Sequence, residues 1–156
     1  MDASPSIVEL LNAVLTAELT AINQYFVHSK MCSNWGYERL AKRLYDESIG
    51  EMKDAEELIE RILYLDGTPN LQRLGSVLVG ENVPEQLRLD LDLERTAITR
   101  LNEGIAQARE EGDNGTRHLL EQILLGEERH ADWVETQLHA IGELGEVQYL
   151  AEQLHE

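Results

Sequence analysis

Residues 127–130 read Glu127, Glu128, Arg129, His130, inside a long segment whose apolar positions recur with helical spacing. Glu127 and His130, three residues apart, share one helical face, so both side chains can reach a single metal ion. Glu51, Met52, Lys53 and Asp54 repeat the spacing with Asp in place of His. Glu18 and Glu94 sit alone inside otherwise apolar stripes. Carboxylates buried without compensation are strongly destabilising, and divalent cations neutralise them. Carboxylates combined with imidazole suit iron, manganese or zinc better than calcium. The expectation is an all-α four-helix bundle with a pair of metal ions at its middle.

Working outward from residue 127, the periodicity predicts four long helices. The first runs from Pro5 to about Asn34, capped by Ser4, with a stripe of Ile7, Leu11, Val14, Glu18, Ile22 and Tyr25. The second, from Glu38 to about Asp66, buries Leu40, Leu44, Glu51, Ala55, Leu58, Ile62 and Leu65. It carries a second apolar face through Tyr45, Ile49, Met52, Ile59 and Leu63, which predicts contact with another subunit. The third starts near the cap Asn82 and ends near Glu111, with Leu87, Leu91, Glu94, Ile98, Leu101, Ile105 and Ala108 in line. The fourth runs from about Gly115 to Leu144 through Leu120, Ile123, Glu127, His130, Val134, Leu138 and Ile141. Residues Glu146 to Leu154 predict a short fifth helix, with Val147, Leu150 and Leu154 on the side that packs at an oligomer axis.

Gly67, Thr68, Pro69 and Asn70 break the second helix, and no helical stripe returns before Glu81. About 15 extended residues reach roughly 50 Å, enough to cross a helix of about 28 residues, roughly 42 Å long. The crossover therefore makes helices two and three parallel, while the short turns near Gly36 and Gly112 join antiparallel neighbours. Glu18, Glu51, Glu94 and Glu127 each fall about 12 to 14 residues into their segments, roughly 20 Å from the start. Parallel or antiparallel, all four land in one layer.

Composition narrows the class. The 156 residues suggest one domain, residues 1–156. With 30 acidic against 13 basic residues, a net charge of −17 repels phosphates and argues against nucleic-acid binding. The single cysteine, Cys32, forms no internal disulfide and fits a reducing compartment. No run approaches the roughly 18 consecutive apolar residues of a membrane span. The reading is a soluble cytoplasmic protein. Glu152 and His155 repeat the Glu-to-His spacing at the tail, where it reads as accidental, and His28, His118 and His139 read as surface or packing residues without a partner constellation.

Several blocks resemble bacterioferritin: Ala17, Glu18, Leu19, then Ala21 to Phe26; Glu47, Ser48, Ile49, Glu51, Met52, Lys53; Glu60 to Leu63; Pro69 to Gln72; and Glu127, Glu128, His130, Glu135 to Leu138. The resemblance spans nearly the whole chain, and its ligand scheme is the one known for ferritin-like di-iron proteins. It implies hollow cages of 24 copies that oxidise Fe(II) and store the mineral inside. By position it makes Glu18 a terminal ligand of one iron, Glu94 and His130 ligands of the other, and Glu51 and Glu127 bridges between them. It also implies haem b on a twofold axis, held by Met52 from each of two subunits, and a ferredoxin as electron donor for iron release. Without the resemblance, Met52 reads as interface packing, and Tyr25 as either a core tyrosine or a source of one further electron.

Asp54 departs from the family, which places His there as the remaining ligand of the first iron. Aspartate adds a negative charge to a ligand set that would otherwise balance two Fe(II), favouring Fe(III), and its shorter side chain has to reach. Asp46 and Gly50 supply no histidine for an iron relay on the cavity side. The leading reading is an iron-storage ferroxidase. The alternative is a haem-bearing iron-release subunit with an impaired site, co-assembling with an active paralogue; a metal-free helical adaptor is a third.

Overall fold

The computed structural model describes residues 4–155; the expected domain also takes in residues 1–3 and 156, which lie outside them. Five helices follow in order: α1 Pro5–Asn34, α2 Glu38–Tyr64, α3 Val83–Glu110, α4 Asn114–Leu144 and α5 Glu146–Ala151. Among the described residues there is no strand, and the fold is the expected all-α four-helix bundle with a short C-terminal helix. Local chemistry sets the boundaries. Ser4 accepts the N–H of Ile7 with Pro5 at the first helical position, Asn82 accepts that of Glu85, and Asp113 accepts that of Thr116. The α1–α2 and α3–α4 turns close on Gly36 (φ +91°) and Gly112 (φ +74°), a backbone region that costs glycine little.

The helices pair as two hairpins, α1 with α2 and α3 with α4, and the hairpins meet through α1 against α3 and α2 against α4. Direction is fixed by contacts at the ends. Asp90 near the start of α3 meets His28 near the end of α1, while Gln107 near the end of α3 reaches Ser6 at the start of α1. On the other side Arg61 of α2 pairs with Asp113, and Arg43 lies over Trp133 of α4. Helices α2 and α3 therefore run parallel, as the crossover length requires.

The crossover is strapped along α1. Asn12 Oδ1 accepts the N–H of Asn70, Thr16 Oγ1 accepts from Arg73 Nε, and Thr20 Oγ1 accepts the N–H of Gly75. Gln24 Oε1 accepts the N–H of Leu78, and His28 Nε2 accepts that of Gly80. Positions 12, 16, 20, 24 and 28 form one line along a helix, so a polar seam down an otherwise apolar helix satisfies the backbone of an extended segment.

Two expectations need correction. His28 is not a lone packing residue. It is fully buried, with Nδ1 2.9 Å from Asp90 Oδ1 and Nε2 3.0 Å from Gly80 N. Helix α5 is shorter than expected, ending at Ala151, and the side it turns toward its own subunit is the one opposite the expected oligomer-facing side. Tyr149 and Gln153 are buried, whereas Val147 is 86% exposed and Leu154 is exposed. The Tyr149 hydroxyl donates to Gln137 Oε1 at 2.7 Å, which anchors that side on α4. Among the described residues, α1 alone is long and apolar enough to cross a membrane by composition, with a mean hydropathy of 1.3. It is packed in the bundle against α2 and α3, and it carries buried Glu18, Gln24 and His28.

Candidate metal centre

Two apolar clusters divide the core. One gathers Ile7, Leu11, Val14, Leu58, Ile62, Leu101, Leu120 and Ile123. The other gathers Cys32, Leu40, Leu44, Leu87, Leu91, Val134 and Tyr149. Between them each long helix replaces an apolar position with glutamate: Glu18, Glu51, Glu94 and Glu127, each at most 4% exposed. One carboxylate oxygen from each of Glu18, Glu51, Asp54 and Glu127 lies within 4.8 Å of the others. Asp54 therefore reaches the cluster in spite of its length. Glu94 lies outside that group of four but lines the same cavity as Glu127. All four glutamates line one cavity of about 230 Å³.

His130 lies one turn beyond Glu127 on the same face of α4, outside the group of Glu18, Glu51, Asp54 and Glu127. Its ring meets Tyr25 edge-on at 5.0 Å and stacks on Trp133 at 5.8 Å. Its Nδ1 is 3.3 Å from Glu47 Oε1 but outside hydrogen-bond alignment. Neither His130 nitrogen has a hydrogen-bond partner, nor do Glu18 Oε2, Glu51 Oε2, Glu94 Oε2 or the Tyr25 hydroxyl. Buried polar atoms are otherwise almost always satisfied, so this many orphans in one layer mark a place built for something else to bind. The donor chemistry, carboxylate oxygens with imidazole nitrogen, fits a pair of transition-metal ions.

The electrostatics agree. Burial, then the charge of Glu127, pushes Glu18 well above the usual carboxylate range. Burial, then Glu18, does the same to Glu51, and burial with the hydrogen bond to Glu127 to Glu94. Asp54 is raised to about 7, first by burial and then by Glu127. Metal-free, the layer holds protons it would surrender to a cation. Burial also pushes Glu47 up, but the adjoining His130 and Arg43 outweigh it and hold Glu47 below its usual range.

The remaining sequence candidates fall elsewhere. Met52 is 52% exposed on the outer face of α2, near exposed Tyr45 and half-buried Ile49. Asp46, Gly50, His118 and His139 are exposed. Sequence reasoning assigned no role to Glu47, Trp133 or Arg43. Their signal was present: Arg43, Glu47 and Glu51 are four residues apart on one face, and Trp133 follows His130 by three.

A helical bundle carrying a buried carboxylate layer of this kind is of the ferritin-like class, and residues 8–144 match the ferritin-like domain family. The chain is 50% identical to a bacterioferritin of Mycobacterium leprae over 152 residues, 97% of this chain and 96% of the relative. It is 49% identical to bacterioferritin BfrA of Mycobacterium tuberculosis at the same coverage. It is 48% identical to a bacterioferritin of Streptomyces coelicolor, covering 97% of this chain and 90% of that one. The chain belongs to the bacterioferritin family.

Proposed function

We propose that this chain stores iron: it takes up Fe(II), oxidises it to Fe(III), and keeps it as a mineral inside a cage assembled from copies of itself. The observation that carries the reading is the layer of orphaned, buried carboxylate oxygens and imidazole nitrogens at mid-height of the bundle. Iron is the substrate. Glu51 and Glu127 are the groups between the two ions, Glu18 and Asp54 hold the first, and Glu94 and His130 hold the second. Two adjacent Fe(II) ions each give up one electron, which together reduce O2 to H2O2 with two protons. Peroxide serves as the alternative acceptor. Arrival of Fe(II) displaces protons from carboxyls whose affinity for them is raised, so uptake releases protons locally.

The whole chain works as one ferritin-like domain in a reducing cytoplasm, in keeping with a free, buried Cys32. Assembly into a 24-subunit cage covers the exposed Tyr45, Met52 and Leu63 of α2 and Leu71, Leu74 and Leu78 of the crossover. Haem, when bound, would supply a redox centre through which electrons from a ferredoxin enter the cage and reduce Fe(III) for release. Met52 suits it, being a soft thioether presented on the outer face rather than packed in the core.

The test is Fe(II) oxidation by the pure protein. Wild type is expected to turn over well above iron alone, and E51Q or E127Q to fall to within a few-fold of the iron-only rate. Wild type at the iron-only rate, rescued by D54H, supports instead the haem-bearing release subunit that needs an active paralogue. Inactivity in both, with no iron bound, sinks the storage reading.

A further inference from the structure

The cavity that holds the carboxylate layer also reaches the surface. Glu18, Glu51, Glu94 and Glu127 form its inner end, while Gly75 and Ser76 of the crossover, both exposed, form part of its outer wall. Thr20 Oγ1 accepts the Gly75 N–H at 2.9 Å, and a Cβ on Gly75 would stand 3.0 Å from that oxygen, so the wall is fitted closely there. Arg100 of α3 is the one basic side chain among the described residues lining this cavity. It lies six residues beyond Glu94, roughly 9 Å along the helix. It makes no ion pair or hydrogen bond with the described residues. In a chain with more than twice as many acids as bases, an unpaired guanidinium on the path to four carboxylates calls for a role.

We propose that Arg100 is an electrostatic gate on this path. It sets the rate at which cations pass between solvent and the carboxylate layer, and it holds back trivalent ions more than divalent ones. The proposal rests on the metal-site reading above. Coulomb repulsion scales with ion charge, so the barrier raised by a single guanidinium is higher for Fe(III) than for Fe(II) in the ratio of their charges. Fe(II) crosses slowly, drawn by the carboxylates behind the gate. Once oxidised, the ion meets a steeper barrier outward, and movement toward the cage interior becomes the easier course. Arg73, whose Nε donates to Thr16 Oγ1 on the same wall, adds a second positive charge near the opening.

The experiment uses two probe ions on the assembled protein. Co(II) uptake is followed by its d–d absorption in stopped flow, and Tb(III) loss into excess chelator by luminescence. R100Q is expected to speed Co(II) uptake roughly threefold and Tb(III) loss roughly fivefold at low ionic strength. Both gains should fade with added salt, with the number of ions bound unchanged. R100K should keep wild-type rates, and R109Q, removing an exposed charge far from the cavity, should change neither. Unaltered rates in R100Q, or equal acceleration of both ions, overturns the gate. In parallel, E51Q should lose tight Co(II) binding; if it binds like wild type, the metal-site reading fails and the gate with it.

Discussion

Two groups of buried polar side chains sit within the same bundle and are treated in opposite ways. Around His28, Asp90 Oδ1 accepts from Gln24 Nε2 at 2.9 Å and lies 2.9 Å from His28 Nδ1, while His28 Nε2 takes the Gly80 N–H. Only Asp90 Oδ2 is left over there. In the carboxylate layer a few turns away, three glutamates, a tyrosine and a histidine all carry orphaned atoms. Burial is similar in both. What differs is saturation: the first cluster is closed and fastens the crossover, and the second is open and has room for ions. Buried polarity alone does not mark a functional site, whereas buried polarity left unsatisfied does.

Mutation should separate the two clusters by sign. H28A removes a partner from a satisfied network, stranding Asp90 and the Gly80 N–H. It is expected to destabilise the metal-free protein by about 3 kcal/mol, read as a lower midpoint in chemical unfolding. E51Q replaces a carboxyl that must take up a proton on folding with an amide that is neutral in both states, and should stabilise the metal-free protein at neutral pH by about 1 to 2 kcal/mol, while abolishing the stabilisation that added metal gives wild type. If both changes destabilise to the same degree, the contrast fails.

A smaller effect comes from pH. The folded state raises Asp54 from 3.8 to about 7, favouring its protonated form. That contribution is complete below the unfolded value and is lost as pH rises through about 7. Metal-free stability should therefore decline across this range, and D54N should flatten the decline. With a divalent ion present the trend reverses, because deprotonated carboxylates bind it better. A melting temperature independent of pH in the metal-free wild type would remove Asp54 from the buried cluster.

The layer was legible in the sequence because it is written in periodicity. Glu18, Glu51, Glu94 and Glu127 interrupt apolar stripes whose other members are buried or half-buried, and the helix bounds follow from the same stripes. What escaped is what depends on neighbours from elsewhere in the chain. Nothing near His28 points to Asp90, more than sixty residues away. Tyr149, which no stripe singled out, faces inward because Gln137 accepts its hydroxyl. Asn12, Thr16, Thr20, Gln24 and His28 do form a visible polar line. Their partners, however, are backbone groups, which have no sequence signature.

That line has a consequence for how the chain can vary. Anchors on α1 recur every four residues, while the matching crossover positions advance through 70, 73, 75, 78 and 80. The helix thus works as a ruler against which the crossover is measured. A single residue inserted or deleted between Asn70 and Gly80 would put the later marks out of step, so this exposed segment should tolerate changes of side chain far more readily than changes of length.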